Sequence, residues 1–174
     1  MINLEQHTLL EMTDEQLDRF ANKTSDYLFK KMKSDKKKNK SNALFNTKKL
    51  MENYNLLKER SNETVHDVEE SDHEDFWNHG RLSVSSLMVN RAKTVKIMKY
   101  VDEALKNYKV LCDASSQPNK SRRHTILYKM YVEEQSIEFV SGYFDKDRTT
   151  ILRNRDEALQ EFSILLFGID ILDM

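Results

Sequence analysis

The sequence predicts an all-α protein, with an N-terminal helical region, a long middle helix and a C-terminal helix-turn-helix domain. Three observations carry that prediction. Only three glycines and one proline occur in 174 residues. A β-sandwich needs many more turn formers, and a Rossmann-type fold needs a glycine-rich loop. Hydrophobic residues make up 39% of the chain and charged residues 33%, which fits a modest core under a heavily solvated surface. Apolar residues recur every three or four positions through much of the chain, the period of a helix with one buried side.

A capping box opens the first helix: Thr13 stands three residues before Gln16, so each can satisfy a backbone N–H of the other. Leu17, Phe20, Ala21, Thr24, Leu28 and Met32 follow at helical spacing and predict a helix over 14–33. Residues 34–42, SDKKKNKSN, hold no apolar side chain and read as a basic linker or exposed loop. Leu44, Leu50, Met51, Tyr54 and Leu57 predict a second helix over 43–62.

The net charge of −1 hides a local asymmetry. From Lys30 to Arg60 there are eleven Lys or Arg against Asp35, Glu52 and Glu59, a net +8. This window reads as a second DNA contact made through phosphates, or as a solvated basic face, and the first is favoured. Residues 61–79 carry seven Asp or Glu and no Lys or Arg. They read as a flexible acidic connector, with Phe76-Trp77 as an anchor packing back onto a helix.

A long helix is predicted over 84–112. Val84, Leu87, Arg91, Thr94, Met98, Val101, Leu105, Tyr108 and Cys112 stand three or four residues apart, the spacing of a coiled-coil-like seam. The seam fits either packing on a neighbour in the same chain or a homodimer through residues 84–112. Residues 113–119, DASSQPN, hold the only proline and predict a domain boundary. The organisation is therefore 1–63 helical with a basic face, 64–82 acidic connector, 83–113 middle helix and 119–174 helix-turn-helix domain.

Three helices are predicted after that break. The first covers 121–134, with Ile126, Leu127, Met130 and Tyr131 on its apolar side. The second, 136–144, is capped by Ser136 and buries Ile137, Val140 and Phe144. The third starts at the N-cap Asp147, runs to about Phe167 and stops at Gly168. A short helix, a turn of about three residues and a longer helix are the parts of a helix-turn-helix, whose second helix reads the major groove. Its outward side here is predicted to carry Thr149, Leu152, Arg153 and Asp156. Arg148, in the first turn, suits a phosphate beside the free backbone N–H groups. Arg153 suits a guanine and Leu152 a thymine methyl. Lys120, Arg122 and Arg123 read as a phosphate clamp, and Lys146 and Arg155 complete the candidate DNA-binding set.

These residues carry a resemblance. The stretch from Arg123 to Leu159 is similar to the promoter-reading C-terminal domain of bacterial sigma factors. The matching pieces are ILYKMYVEEQ, then SIEFVSGYF in place of that family's Ser-x-Glu-Glu-Ile-Ala-like helix, then DRTTILRNRDEAL in place of its recognition helix. The match puts the family's base-contacting positions on Arg148, Thr149, Leu152 and Arg153. Phe139 and Ser141 replace the usual Glu and Ala, and Asp145-Lys146-Asp147 replaces the usual Gly-apolar-Ser turn. Together with LMENYNLLKE at 50–59, the middle helix and the terminal FSILLFG, this resembles the ArpU family of small phage and prophage transcriptional regulators. The resemblance implies an activator of late genes for packaging, assembly and lysis, acting on double-stranded DNA with host RNA polymerase as a partner. A complete sigma factor would also need an aromatic-rich, promoter-opening helix. Phe20, Tyr27, Phe29, Phe45 and Tyr54 are scattered, and most fit core positions better.

Other chemistry is not expected. The chain has no glycine-rich phosphate loop, no Gly-x-Ser-x-Gly and no signal-peptide pattern or apolar run long enough to span a membrane. Its single cysteine fits a reducing cytoplasm, and Cys112 reads as buried packing. His66, His73 and His79 lack the spacing of a zinc site. The sequence thus reads as a cytoplasmic, non-enzymatic protein without metal or cofactor. The alternative functions are a DNA-packaging protein such as a small terminase subunit, or a protein that binds only protein through the 84–112 seam.

Overall fold

The computed structural model describes residues 13–62 and 81–168. Among them are seven α-helices and no strand: α1 Asp14–Glu52, α2 Tyr54–Asn62, α3 Val84–Val89, α4 Arg91–Asp113, α5 Pro118–Tyr131, α6 Ile137–Phe144 and α7 Arg148–Phe167. The fold is all-α, as predicted. The acidic stretch and Phe76-Trp77 lie outside the described residues. The chain divides into two compact units, Met1–Lys38 and Asn39–Met174.

In the first unit, the capping box forms as expected. The Thr13 backbone N–H donates to Gln16 Oε1 at 3.0 Å, and the Gln16 N–H donates to Thr13 Oγ1 at 3.4 Å. Helix α1 then continues through residues 34–42, where the sequence predicts a linker. The reason is that nothing there breaks a helix: the segment has no Gly or Pro, and lysine is a good helix former. Lack of apolar residues decides burial, not helicity. Every residue from 13 to 38 is exposed, so Phe20, Tyr27 and Phe29 do not occupy core positions.

The second unit has a single large core. Leu50 and Met51 at the end of α1, Leu57 of α2, Leu87 of α3, Met98, Val101, Leu105 and Tyr108 of α4, Leu127 of α5 and Leu159, Phe162 and Leu166 of α7 form it. Burying each large side chain of this kind contributes about 1.5–3 kcal/mol. A smaller cluster of Ile126, Val140 and Ile151, each fully buried, joins α5, α6 and α7. Polar ties stitch the layers. Tyr54 Oη donates to Asp102 at 2.7 Å, and Lys58 pairs with the same carboxylate. Asn46 Oδ1 accepts the Leu82 N–H at 2.7 Å. Helix α1 ends at Asn53, whose side-chain amide donates to the Lys49 carbonyl at 2.9 Å.

Three expectations for the middle of the chain are affected. The predicted long helix breaks at Asn90, which has extended backbone and caps α4 by accepting the Lys93 N–H at 3.0 Å. The 84–112 seam is also not free. Leu87, Thr94, Met98, Val101, Leu105, Tyr108 and Cys112 are all buried inside this chain, because α4 packs on α2, α5 and α7. The buried seam residues are thus covered by this chain's own helices rather than by a second copy or a protein partner. The predicted boundary at 113–119 is a turn within one core, since α4 on one side and α5 and α7 on the other bury residues together.

Candidate nucleic-acid interface

Helix α6 is short, and local contacts fix both its ends. Ser136 Oγ accepts the Phe139 N–H at 3.1 Å at the start. At the end, Asp145 adopts the left-handed conformation, φ 50°, and its N–H bonds the carbonyls of Ser141 and Gly142. The resemblance expects glycine in this turn. Aspartate serves because its short polar side chain tolerates left-handed backbone better than most residues. After the three-residue turn, Asp147 caps α7 by accepting the Thr150 N–H at 2.9 Å and the Thr150 hydroxyl at 2.7 Å. These bonds favour the charged carboxylate and hold its pKa below the ordinary value.

The cap and the small cluster set the rotation of α7. Ile151, Asn154, Ala158, Leu159 and Phe162 are buried. Thr149, Arg153, Asp156 and Gln160, spaced four, three and four residues apart, are exposed and form one strip along the helix. Of the predicted outward residues, Thr149, Arg153 and Asp156 lie on this strip, and Leu152 is half-buried at its flank. Arg153 and Lys146 are exposed, and their side chains have no hydrogen-bond or ion-pair partner among the described residues. Arg148 is exposed and pairs with Glu138 of α6 at 3.3 Å.

The rest of the predicted set is partly buried and paired within the chain. Arg155 is half-buried and clasps Asp156 with Nε at 2.9 Å and Nη2 at 2.6 Å. Arg122 is half-buried and donates to Asn119 at 2.7 Å. Arg123 pairs with Glu157 and, at 2.5 Å, with Glu161, both on α7. Lys120 stands 3.8 Å from Glu161, and Tyr108 Oη donates to the same carboxylate at 2.8 Å. Glu161 thus joins α4, α5 and α7. Lys120 and Arg123 face α7 and pair with its carboxylates.

One feature escapes the sequence reading. Phe139 and Tyr143 of α6 are more than half exposed, and Lys129 of α5 lies over both rings, 4.4 Å from the Tyr143 centroid and 5.8 Å from that of Phe139. The signal for it is their i, i+4 spacing, out of phase with the buried stripe of Ile137, Val140 and Phe144. Among the described residues, no three His, Cys, Asp or Glu side chains come together as a metal site. His66, His73 and His79 lie outside the described residues. No helix among the described residues is long and apolar enough to cross a membrane. In comparisons with protein-family models, curated proteins and solved structures, nothing matches this chain.

Proposed function

We propose that this chain is a sequence-specific DNA-binding regulator of transcription, of the kind the ArpU resemblance implies: an activator of phage or prophage late genes that works with host RNA polymerase. The observation that carries the reading is the exposed strip of α7, where among the described residues Arg153 in its middle and Lys146 at the turn before it have no partner. Helix α7 enters the major groove. Arg153 donates two hydrogen bonds to a guanine edge, Thr149 reaches a neighbouring base and Leu152 offers apolar contact to a thymine methyl. Lys146, Arg148 and the backbone N–H groups at the start of α7 bind phosphates and fix the register. Arg148 exchanges Glu138 for phosphate on binding.

The test is selection from a random duplex library, followed by a salt titration on the selected site. The expected outcome is a defined motif whose affinity falls steeply with salt. Arg153→Ala then costs about 1–3 kcal/mol at one base pair and relaxes preference there. Equal weakening on every sequence would make Arg153 a phosphate contact, and absence of binding to any duplex at low salt would end this reading.

A further inference from the structure

The described part of the first unit presents a helix face that no described residue covers. Leu17, Phe20 or Ala21, Thr24, Leu28 and Met32 recur at three- and four-residue intervals along the N-terminal part of α1, and every one is exposed. Phe20 is 53% exposed and Leu28 51%. No described residue of this unit is buried, so its described part holds no core. A single helix in water is marginal and gains stability by burying an apolar face. The spacing of this face is that of a two-helix seam.

The charge along the same helix says what covers it. The first turns carry Asp14, Glu15 and Asp18 against Arg19, and Glu15 already pairs with Arg19 at 2.6 Å. Lys30, Lys31 and Lys33 follow within residues 14–35, and Lys36, Lys37 and Lys38 stand just beyond, with Asp35 as the one acid among them. Parallel alignment of two copies would set lysine stretch against lysine stretch. Antiparallel alignment brings the acidic turns of each copy to the lysines of the other, and it places Leu17 near the partner's Met32, Phe20 and Ala21 near Leu28 and Phe29, and Thr24 close to the two-fold axis. Opposite charges across such a seam favour one orientation over the other.

From these observations we infer that two copies of the chain associate through residues 14–35 of α1 as an antiparallel helix pair. The seam that dimerises is the exposed one on α1, not the covered one on α4. The inference does not depend on DNA binding.

Sedimentation equilibrium on the full chain, in the absence of DNA, tests it. The expected result is a dimer that the double variant Phe20→Glu, Leu28→Glu converts to a monomer. Both residues are exposed, so the circular dichroism melt of the second unit stays unchanged. Oxidative cross-linking reads the orientation. Thr24→Cys links to itself, Leu17→Cys does not, and a mixture of Leu17→Cys with Met32→Cys does. A monomer at all concentrations, or a dimer indifferent to the two glutamates, overturns the proposal. Self-linking of Leu17→Cys as readily as Thr24→Cys overturns the antiparallel arrangement. A monomer that dimerises only after residues 1–12 are removed would show that the chain's own N-terminal segment covers the face, and that too overturns it.

Discussion

Two helices of this chain carry the same apolar signature and differ in what covers them. In α4, the residues at three- and four-residue spacing from Thr94 to Cys112 are buried by α2, α5 and α7. In the N-terminal part of α1, the residues from Leu17 to Met32 follow the same spacing and are exposed along its whole length. The comparison separates two properties that a periodic sequence merges. Period tells that a helix has an apolar side. It does not tell whether the chain that owns the helix also supplies the cover.

The difference has a direct energetic test. Phe162 of α7 is fully buried against the α4 stripe, so Phe162→Ala costs about 3–5 kcal/mol of unfolding free energy. Phe20→Ala on the uncovered stripe, measured on dilute monomeric protein, changes it by less than about 0.5 kcal/mol. Urea denaturation followed by circular dichroism measures both. Similar losses at the two positions would break the contrast between covered and uncovered stripes.

A smaller effect is expected where the second unit forms its turn. Asp145 sits at φ 50°, where a residue with a Cβ is strained and glycine is not. Asp145→Gly therefore raises stability by about 0.5–1 kcal/mol, read as a higher urea midpoint. A lower midpoint would mean that the aspartate side chain itself holds the turn.

The smallest effect is a pH dependence confined to the covered side. His124 of α5 is buried, with Tyr108, Lys109 and Asp113 of α4 and Tyr128 of α5 around it. Burial, and then the Lys109 charge, push its pKa below the ordinary 6.5, while Asp113 acts in the other direction. The folded imidazole therefore stays neutral where the unfolded one takes a proton. Stability falls as pH drops through about 6.5 and levels off below the folded-state value. Urea midpoints at about pH 7.5 and about pH 5.5 differ in the parent chain, and they differ less in His124→Gln. An unchanged difference in the variant would place the titrating group elsewhere.

Helix ends are legible in this sequence because a cap is a contact over three residues. Thr13 with Gln16, Ser136, Asp147 and Gly168 all sit where local chemistry puts them. Asn90 is a cap of the same kind, yet it separates α3 from α4 without disturbing the apolar spacing, so periodicity passes over it. The lysine stretch of α1 is misread for a related reason, since hydrophobic patterning has nothing to report in a segment that is helical but unburied. At the candidate site, rotation about α7 suffices to bring Thr149, Arg153 and Asp156 to the surface. It does not suffice for Lys120 and Arg123. Their fate depends on Glu157 and Glu161, far along the chain, and on how α5 crosses α7.

The position of α7 also has a consequence for synthesis on the ribosome. Met98, Val101 and Leu105 are buried partly by Leu159, Phe162 and Leu166 of α7, the last helix among the described residues. A nascent chain that has not yet released this helix carries the α4 stripe without its full cover. The α4 stripe gains its full cover only with the emergence of α7. Until then the growing chain exposes apolar surface of the kind that chaperones hold.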